Sequence, residues 1–159
     1  MTVQIALLRG INVGGHNKLP MADLRDLLAT LGAQDCKTYI QSGNAVYRGD
    51  LDAEMISEAI EKAHGFRPQV MVRDLSFWQA RIAAAPYPSD DPKALHLFVL
   101  AGPTNATEAD LNQHATPTEA AQIGAGVVYL HTPGGLSASK IADRIDRILG
   151  TQTTARNWR

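Results

Sequence analysis

Apolar positions along this chain alternate between short continuous runs and helical stripes. Val3–Leu8 is a nearly continuous apolar run, the mark of a buried strand. Arg9–Leu19 then turns polar and carries Gly10, Gly14 and Gly15, which predicts a loop. Pro20 suits the start of a helix, where its missing N–H costs nothing. Leu24, Leu27, Leu28 and Leu31 form that helix's buried stripe, and Gly32 suits the position just past its end. Cys36–Gln41 and Ala45–Arg48 read as strands around the turn Ser42-Gly43-Asn44. Asp52 is placed to cap a second helix with Met55, Ile56, Ala59, Ile60 and Ala63 on its inner face, and Gly65 ends it. Gln69–Arg73 is a fourth strand.

This order, β-α-β-β-α-β, is that of a ferredoxin-like unit. A linking helix from Leu75 to Ala85 and a connector containing Pro86, Pro88, Asp90, Asp91 and Pro92 follow. The order then begins again. Ala94–Leu100 is a strand, Thr107–His114 a short helix, and Glu119–Ile123 and Val127–His131 a second strand pair. Ser137 is placed to cap a strongly amphipathic helix with Ile141, Ile145, Ile148 and Leu149 inward. Gly150 closes that helix, and Thr153–Arg159 supplies a last strand. The hairpin turns at Gly43 and Ala125 lie 82 residues apart, close to the spacing of the helix caps, which points to an internal repeat. The expected class is α+β, with tandem ferredoxin-like halves of antiparallel sheet. The first half is residues 1–74, the linker 75–93, and the second half 94–159.

The composition excludes some classes. At 159 residues with 45% apolar content, the chain buries a core without metal or disulfide staples. A net charge of −1 argues against a strongly basic nucleic-acid binder. Cys36 is the single cysteine, so no intrachain disulfide or Cys-rich zinc site forms, and a cytoplasmic setting is expected. Val3–Leu8 is too short for a signal-peptide core, and no run of 18 apolar residues exists for a membrane span.

The topology draws the unusual residues to one edge. In a ferredoxin-like sheet, the loop after the first strand and the hairpin between the second and third share that edge. Arg9, Asn12, His16, Asn17 and Lys18 therefore fall near Gln41, Ser42 and Asn44, beside the helix N-terminus at Pro20. Two cations, amide and hydroxyl donors, glycines and a helix dipole together suit an anion. The competing structural explanation is that glycines turn corners and Ser-Gly-Asn is ordinary hairpin chemistry. Neither the phosphate-loop Gly-x4-Gly-Lys-Ser/Thr nor the dinucleotide Gly-x-Gly-x-x-Gly is present, so no cofactor is expected. Ser137-Ala138-Ser139-Lys140 fits Ser-x-x-Lys, but the partner motifs of that nucleophile are absent and a helix cap explains the serine. His16, His64, His96, His114 and His131 show no metal spacing. Trp158 is an unusual residue for a chain end; its ring is expected to pack and to hold Arg156 rigidly.

Three strings carry a resemblance. Ala6–Met21, Thr38–Asn44, and Ser139-Lys140 with the terminal Arg156-Asn157-Trp158 resemble the bacterial family called domain of unknown function 1697. The resemblance implies a compact α+β protein of two ferredoxin-like halves, with no established activity, substrate or cofactor. It marks Arg9, Gly10, Asn12, Gly14, Gly15, Lys18, Gln41, Ser42, Gly43, Asn44, Ser139, Lys140, Arg156, Asn157 and Trp158 as motif positions. Members of that family usually continue past the Arg-Asn-Trp string.

The function expected is binding of an anionic small molecule, bearing phosphate or carboxylate. Arg9 and Lys18 would neutralise its charge, and Asn12, Gln41, Ser42 and Asn44 would orient it. Lys140 and Arg156 would complete the site if the halves face each other. No general base or nucleophile stands out, so catalysis would rest on charge stabilisation by the cations. Two alternatives remain, a single-stranded RNA module and a structural protein that forms homodimers through sheet edges. The first lacks stacking aromatics on strand one, with Tyr39 and Tyr47 the nearest.

Overall fold

The opening apolar run folds as β1, Val3–Arg9, and becomes a central strand. The structure is a computed structural model that describes residues 2–88 and 90–158. β1 pairs antiparallel with β3, Asn44–Arg48, on one side and β4, Gln69–Asp74, on the other. β2, Gln34–Tyr39, lies outside β3, giving the order β2-β3-β1-β4. Side chains alternate across a strand, so Ala6 and Leu8 share one face with Ala45, Tyr47 and Val70. α1, Met21–Thr30, and α2, Ala53–His64, cover that face. Leu24, Leu28, Ile56 and Ile60 complete the core there. On the opposite face Leu7 and Met71 are also buried, each 3% exposed.

The punctuation follows the sequence closely. Asp52 Oδ1 accepts from the Met55 N–H at 2.9 Å and caps α2, while Gly65 (φ 81°) ends it. The first hairpin differs. β2 starts at Gln34 rather than Cys36, because Asp35 takes a left-handed conformation (φ 54°) inside a β-bulge between Gln34 and Lys37. It stops at Tyr39 because Ile40 is also left-handed, φ 51°.

The same arrangement recurs. β5, Leu95–Leu100, lies between β7, Val127–His131, and β8, Thr153–Asn157, with β6, Ala120–Gly124, at the edge. α4, Glu108–Asn112, and α5, Lys140–Leu149, cover one face, where Phe98, Leu100, Leu111, Val128, Ile141 and Ile145 form the core. An exposed strand edge invites foreign pairing, and β6 closes its own. Asn112 Oδ1 accepts from Ala121 N–H, Asn112 Nδ2 donates to Ala121 O, and Glu108 Oε1 accepts from Ile123 N–H. The chain thus comprises two ferredoxin-like halves. It divides into compact units Met1–Gln79 and Ala80–Arg159, and the division falls within α3, Leu75–Ala83, the helix expected to be a linker.

The cap of α5 is Ser139, not Ser137. Ser137 is exposed in a 3-10 turn over Leu136–Ala138. Ser139 Oγ accepts from Ala142 N–H at 3.1 Å and donates to Glu119 Oε2, and Glu119 Oε1 accepts from Thr116 N–H. Ser139 is therefore occupied as a buried structural hydroxyl. Ser139→Ala is expected to lower stability by about 1–2 kcal/mol, as for a lost cap. Ser137→Ala should change it by less than about 0.5 kcal/mol, as at an exposed surface position. Urea denaturation of both variants checks this, and equal losses would contradict it.

The terminal string is tied down by its backbone. β8 pairs with β5, and the Trp158 N–H donates to Leu95 O at 2.9 Å and Pro92 O at 3.1 Å. Trp158 itself is half-buried, and Arg159 lies outside the described residues. Among the described residues no helix is long and apolar enough to cross a membrane.

Candidate functional site

The loop after β1 is built by side-chain amides. Asn12 adopts φ 54° and Asn17 φ 52°, conformations that Asn tolerates better than most residues. Asn12 N–H donates to Asn17 O at 3.0 Å, and Asn17 Nδ2 donates to Gly10 O at 3.2 Å. Asn12 Nδ2 donates to Leu19 O at 2.9 Å and to Gln41 O at 2.8 Å, while its Oδ1 accepts from Leu19 N–H at 2.8 Å. Both amide hydrogens of Asn12 are thus committed to the backbone. Asn12 clips the two ends of its loop together and fastens them to the hairpin tip. These bonds give Asn12 a positioning role in the loop.

The hairpin is set in a similar way. Asn44 Nδ2 donates to Tyr39 O at 2.9 Å and to Ser42 Oγ at 3.2 Å. These bonds fold the turn, so Asn44 and Ser42 serve its shape. Gly43 (φ 95°) lies against β1, and Leu8 N–H donates to its carbonyl at 2.9 Å. A Cβ at Gly43 would stand 2.8 Å from Leu8 Cβ and 2.9 Å from Ile11 Cδ1. Gly43 thus gives room to the protein's own backbone, a close approach the sequence did not reveal.

Between loop and hairpin lies an open depression of about 410 Å³ lined by Asn12, Gly15, Lys18, Pro20 and Gln41. Pro20 is the N-cap of α1 and supplies no side-chain cap. The first intrahelical bond runs from Leu24 N–H to Pro20 O, so the N–H groups of Met21, Ala22 and Asp23 have no helical acceptor. The nearby carboxylate of Asp23 lies 3.8 Å from His64 Nε2 on α2. Lys18 is the cation among the lining residues; Asp23 stands in the first turn of α1, and Arg48, paired with Asp35 at 3.3 Å, lies at the far end of β3 opposite Val3.

The other expected residues fall elsewhere. Arg9 is exposed at the end of β1, cross-strand from Gln69, and does not line the depression. Lys140 and Arg156 belong to the second unit: Lys140 is exposed at the first position of α5, and Arg156 is half-buried on β8. Burial lowers the Arg156 pKa, and its guanidinium donates to Ala155 O at 2.8 Å. Arg73 is its counterpart in the first unit. It pairs with Ile5 as Arg156 pairs with Leu97, donates to Val72 O at 2.9 Å, and has its pKa lowered by the same cause. The internal repeat was the signal that could have found Arg73.

A second depression, about 360 Å³, is lined by Val3, Asp35, Cys36, Lys37, Val46, Tyr47 and Arg48. Burial and then Asp35 push the Cys36 thiol pKa up, which keeps it protonated at neutral pH and unsuited to nucleophilic work. Tyr47 faces the helix-side core at 1% exposure, its hydroxyl donating to Leu51 O and its pKa raised to about 12 by burial, Cys36 and Asp52. It offers no stacking surface to RNA. Among the described residues no group of three or more His, Cys, Asp or Glu side chains could hold a metal ion.

The geometry defines an α+β protein of two ferredoxin-like units, the first with a depression that carries Lys18 at one sheet edge. The chain belongs to the family described as protein of unknown function (DUF1697), which matches residues 1–129. The strings around Arg9–Pro20 and Gln41–Asn44 lie within the match, and Ser139-Lys140 and Arg156–Trp158 lie beyond it. A conserved bacterial protein of Streptococcus pneumoniae shares the fold, with TM-score 0.68 and 23% identity over 98% of this chain and 92% of that one. No curated protein matches the chain at a significant level.

Proposed function

We propose that this protein binds an anionic small molecule, bearing phosphate or carboxylate, in the depression between the Gly10–Leu19 loop and the β2–β3 hairpin. The carrying observation is Lys18 on a depression that also receives the N-terminus of α1, whose cap Pro20 contributes no side-chain acceptor. An anion there meets the lysine charge, the helix dipole and backbone N–H groups together. Gln41 supplies an amide able to donate and accept. Gly15 (φ 76°) has nothing within 4 Å of where a Cβ would stand, so a ligand approaches its backbone freely. Arg9 adds positive potential from the end of β1. Asn12, Ser42 and Asn44 shape the site without needing to touch the ligand.

Mass action supplies the test. A ligand at 100 times its Kd stabilises the folded protein by about 2.7 kcal/mol. Phosphate, sugar phosphates, nucleotides or carboxylates should therefore raise the melting temperature. Lys18→Ala should abolish the rise while leaving the ligand-free melting temperature nearly unchanged, because Lys18 is exposed. A wild-type protein that responds to none of these compounds would contradict the proposal.

A further inference from the structure

The start of α1 carries a charge that opposes an anion there. Asp23 stands in the first turn, the third residue after the cap Pro20. A carboxylate at that position commonly folds back onto the N–H of the cap. Pro20 has no N–H, so that bond cannot form. The Asp23 carboxylate instead lies 3.8 Å from His64 Nε2, with side-chain exposures of 49% and 21%. His64 is the last residue of α2, so the end of α2 meets the start of α1. The other charges around His64 are placed elsewhere. Glu61, one turn earlier on α2, lies 3.5 Å from Arg67, and Lys62 lies 3.3 Å from Glu58. On β4, which packs against α2, Arg73 and Asp74 stand at the end away from Gln69. Asp26, exposed, is the next carboxylate along α1, and the loop of the depression adds Lys18 and the exposed His16.

We propose that His64 regulates the anion site through Asp23, so that the site fills more readily when His64 is protonated. This rests on the anion-binding proposal above. Asp23 and an anion at the first N–H groups of α1 are like charges sharing one helix terminus, and both draw on the same dipole. A neutral imidazole leaves their repulsion in full. An imidazolium at 3.8 Å offsets the carboxylate and returns the terminus to the ligand. Histidine is the side chain that changes charge across the physiological pH range. Anion binding is therefore tight below the titration of His64 and weakens as pH rises through it. The coupling is reciprocal, so a bound anion favours the proton on His64 as much as that proton favours the anion.

Isothermal titration with sulfate tests this, because sulfate keeps one charge across the range and any pH dependence then belongs to the protein. At constant ionic strength, wild type should bind sulfate about three- to fivefold more tightly at about pH 5.5 than at about pH 8, the size expected of an interaction between half-exposed charges. Asp23→Asn removes the repulsion and should bind at the higher pH as tightly as wild type does at the lower. His64→Gln should bind at both with the weaker affinity. Added sulfate should also move the midpoint of the His64 ring-proton titration upward in NMR spectra. His16→Gln should keep the wild-type pH dependence. Loss of the dependence in His16→Gln, with retention in His64→Gln, would assign it to the loop and overturn the proposal. A wild-type affinity that does not change with pH, or an Asp23→Asn variant that binds no tighter than wild type at the higher pH, would overturn it and leave anion binding standing. Sulfate that fails to bind at either pH would overturn both.

Discussion

Gly43→Ala is expected to lower stability by about 3–5 kcal/mol, the largest loss of any single change in the first unit's polar edge. Two costs combine. A Cβ would stand 2.8 Å from Leu8 Cβ, 2.9 Å from Ile11 Cδ1 and 3.2 Å from Leu8 O, and Leu8 and Ile11 are themselves core residues. Overpacking of that kind costs about 1–3 kcal/mol. The backbone at φ 95° adds strain of about 1–3 kcal/mol for any residue with a side chain. Leu8 Cβ and its carbonyl belong to the central strand and do not yield as a flexible side-chain end would. Separating the strands instead breaks the bond from Leu8 N–H to Gly43 O. Chemical denaturation measures the loss, and a change below about 1 kcal/mol would show that the hairpin tip does not press on β1.

Asn12→Ala is expected to cost about 3 kcal/mol and to lower the melting temperature by roughly 6–12 °C. Three side-chain hydrogen bonds disappear, and Leu19, fully buried, loses partners for both its N–H and its carbonyl. Alanine is also disfavoured at φ 54°. Asn12→Gly separates the two causes, since it keeps the conformation and loses only the bonds. It should recover about 1 kcal/mol relative to alanine. Proteolysis in the Gly10–Leu19 loop should accelerate in both variants, because its ends are no longer joined. If Asn12→Ala melts like wild type, Asn12 is not the clip, and its amide is free for a ligand after all.

These two residues show where the sequence was legible and where it was not. The strands and helical stripes were readable because each rests on a local period: Val3–Leu8, the Leu24–Leu28 stripe, the Asp52 cap, the Gly65 stop. The meeting of loop and hairpin was readable from topology alone. What the loop residues do there was not. An asparagine amide commits to whichever carbonyl folding brings near, and Gln41 lies 29 residues from Asn12. Gly43 looked like a turn glycine, and its contact with Leu8 is again long-range. The hairpin ends moved because a bulge at Asp35 leaves no mark in an alternation only a few residues long. Ser137 and Ser139 both precede the same amphipathic stripe; a 3-10 turn takes up Ser137, and the hydroxyl of Ser139, the cap, is held by Glu119, a distant neighbour. Arg9 missed the depression because it is a strand residue still paired with Gln69.

The central claim is that an anion occupies the depression at Lys18, and amide chemical shifts report on it directly. In a ¹⁵N-labelled protein titrated with phosphate or AMP at constant ionic strength, the N–H signals of Gly15, Lys18, Met21, Ala22 and Gln41 should move together and saturate. Those of the second unit should stay still, and Lys18→Ala should suppress the response. Shifts that spread over the whole surface without saturating, or that persist unchanged in Lys18→Ala, would contradict the account.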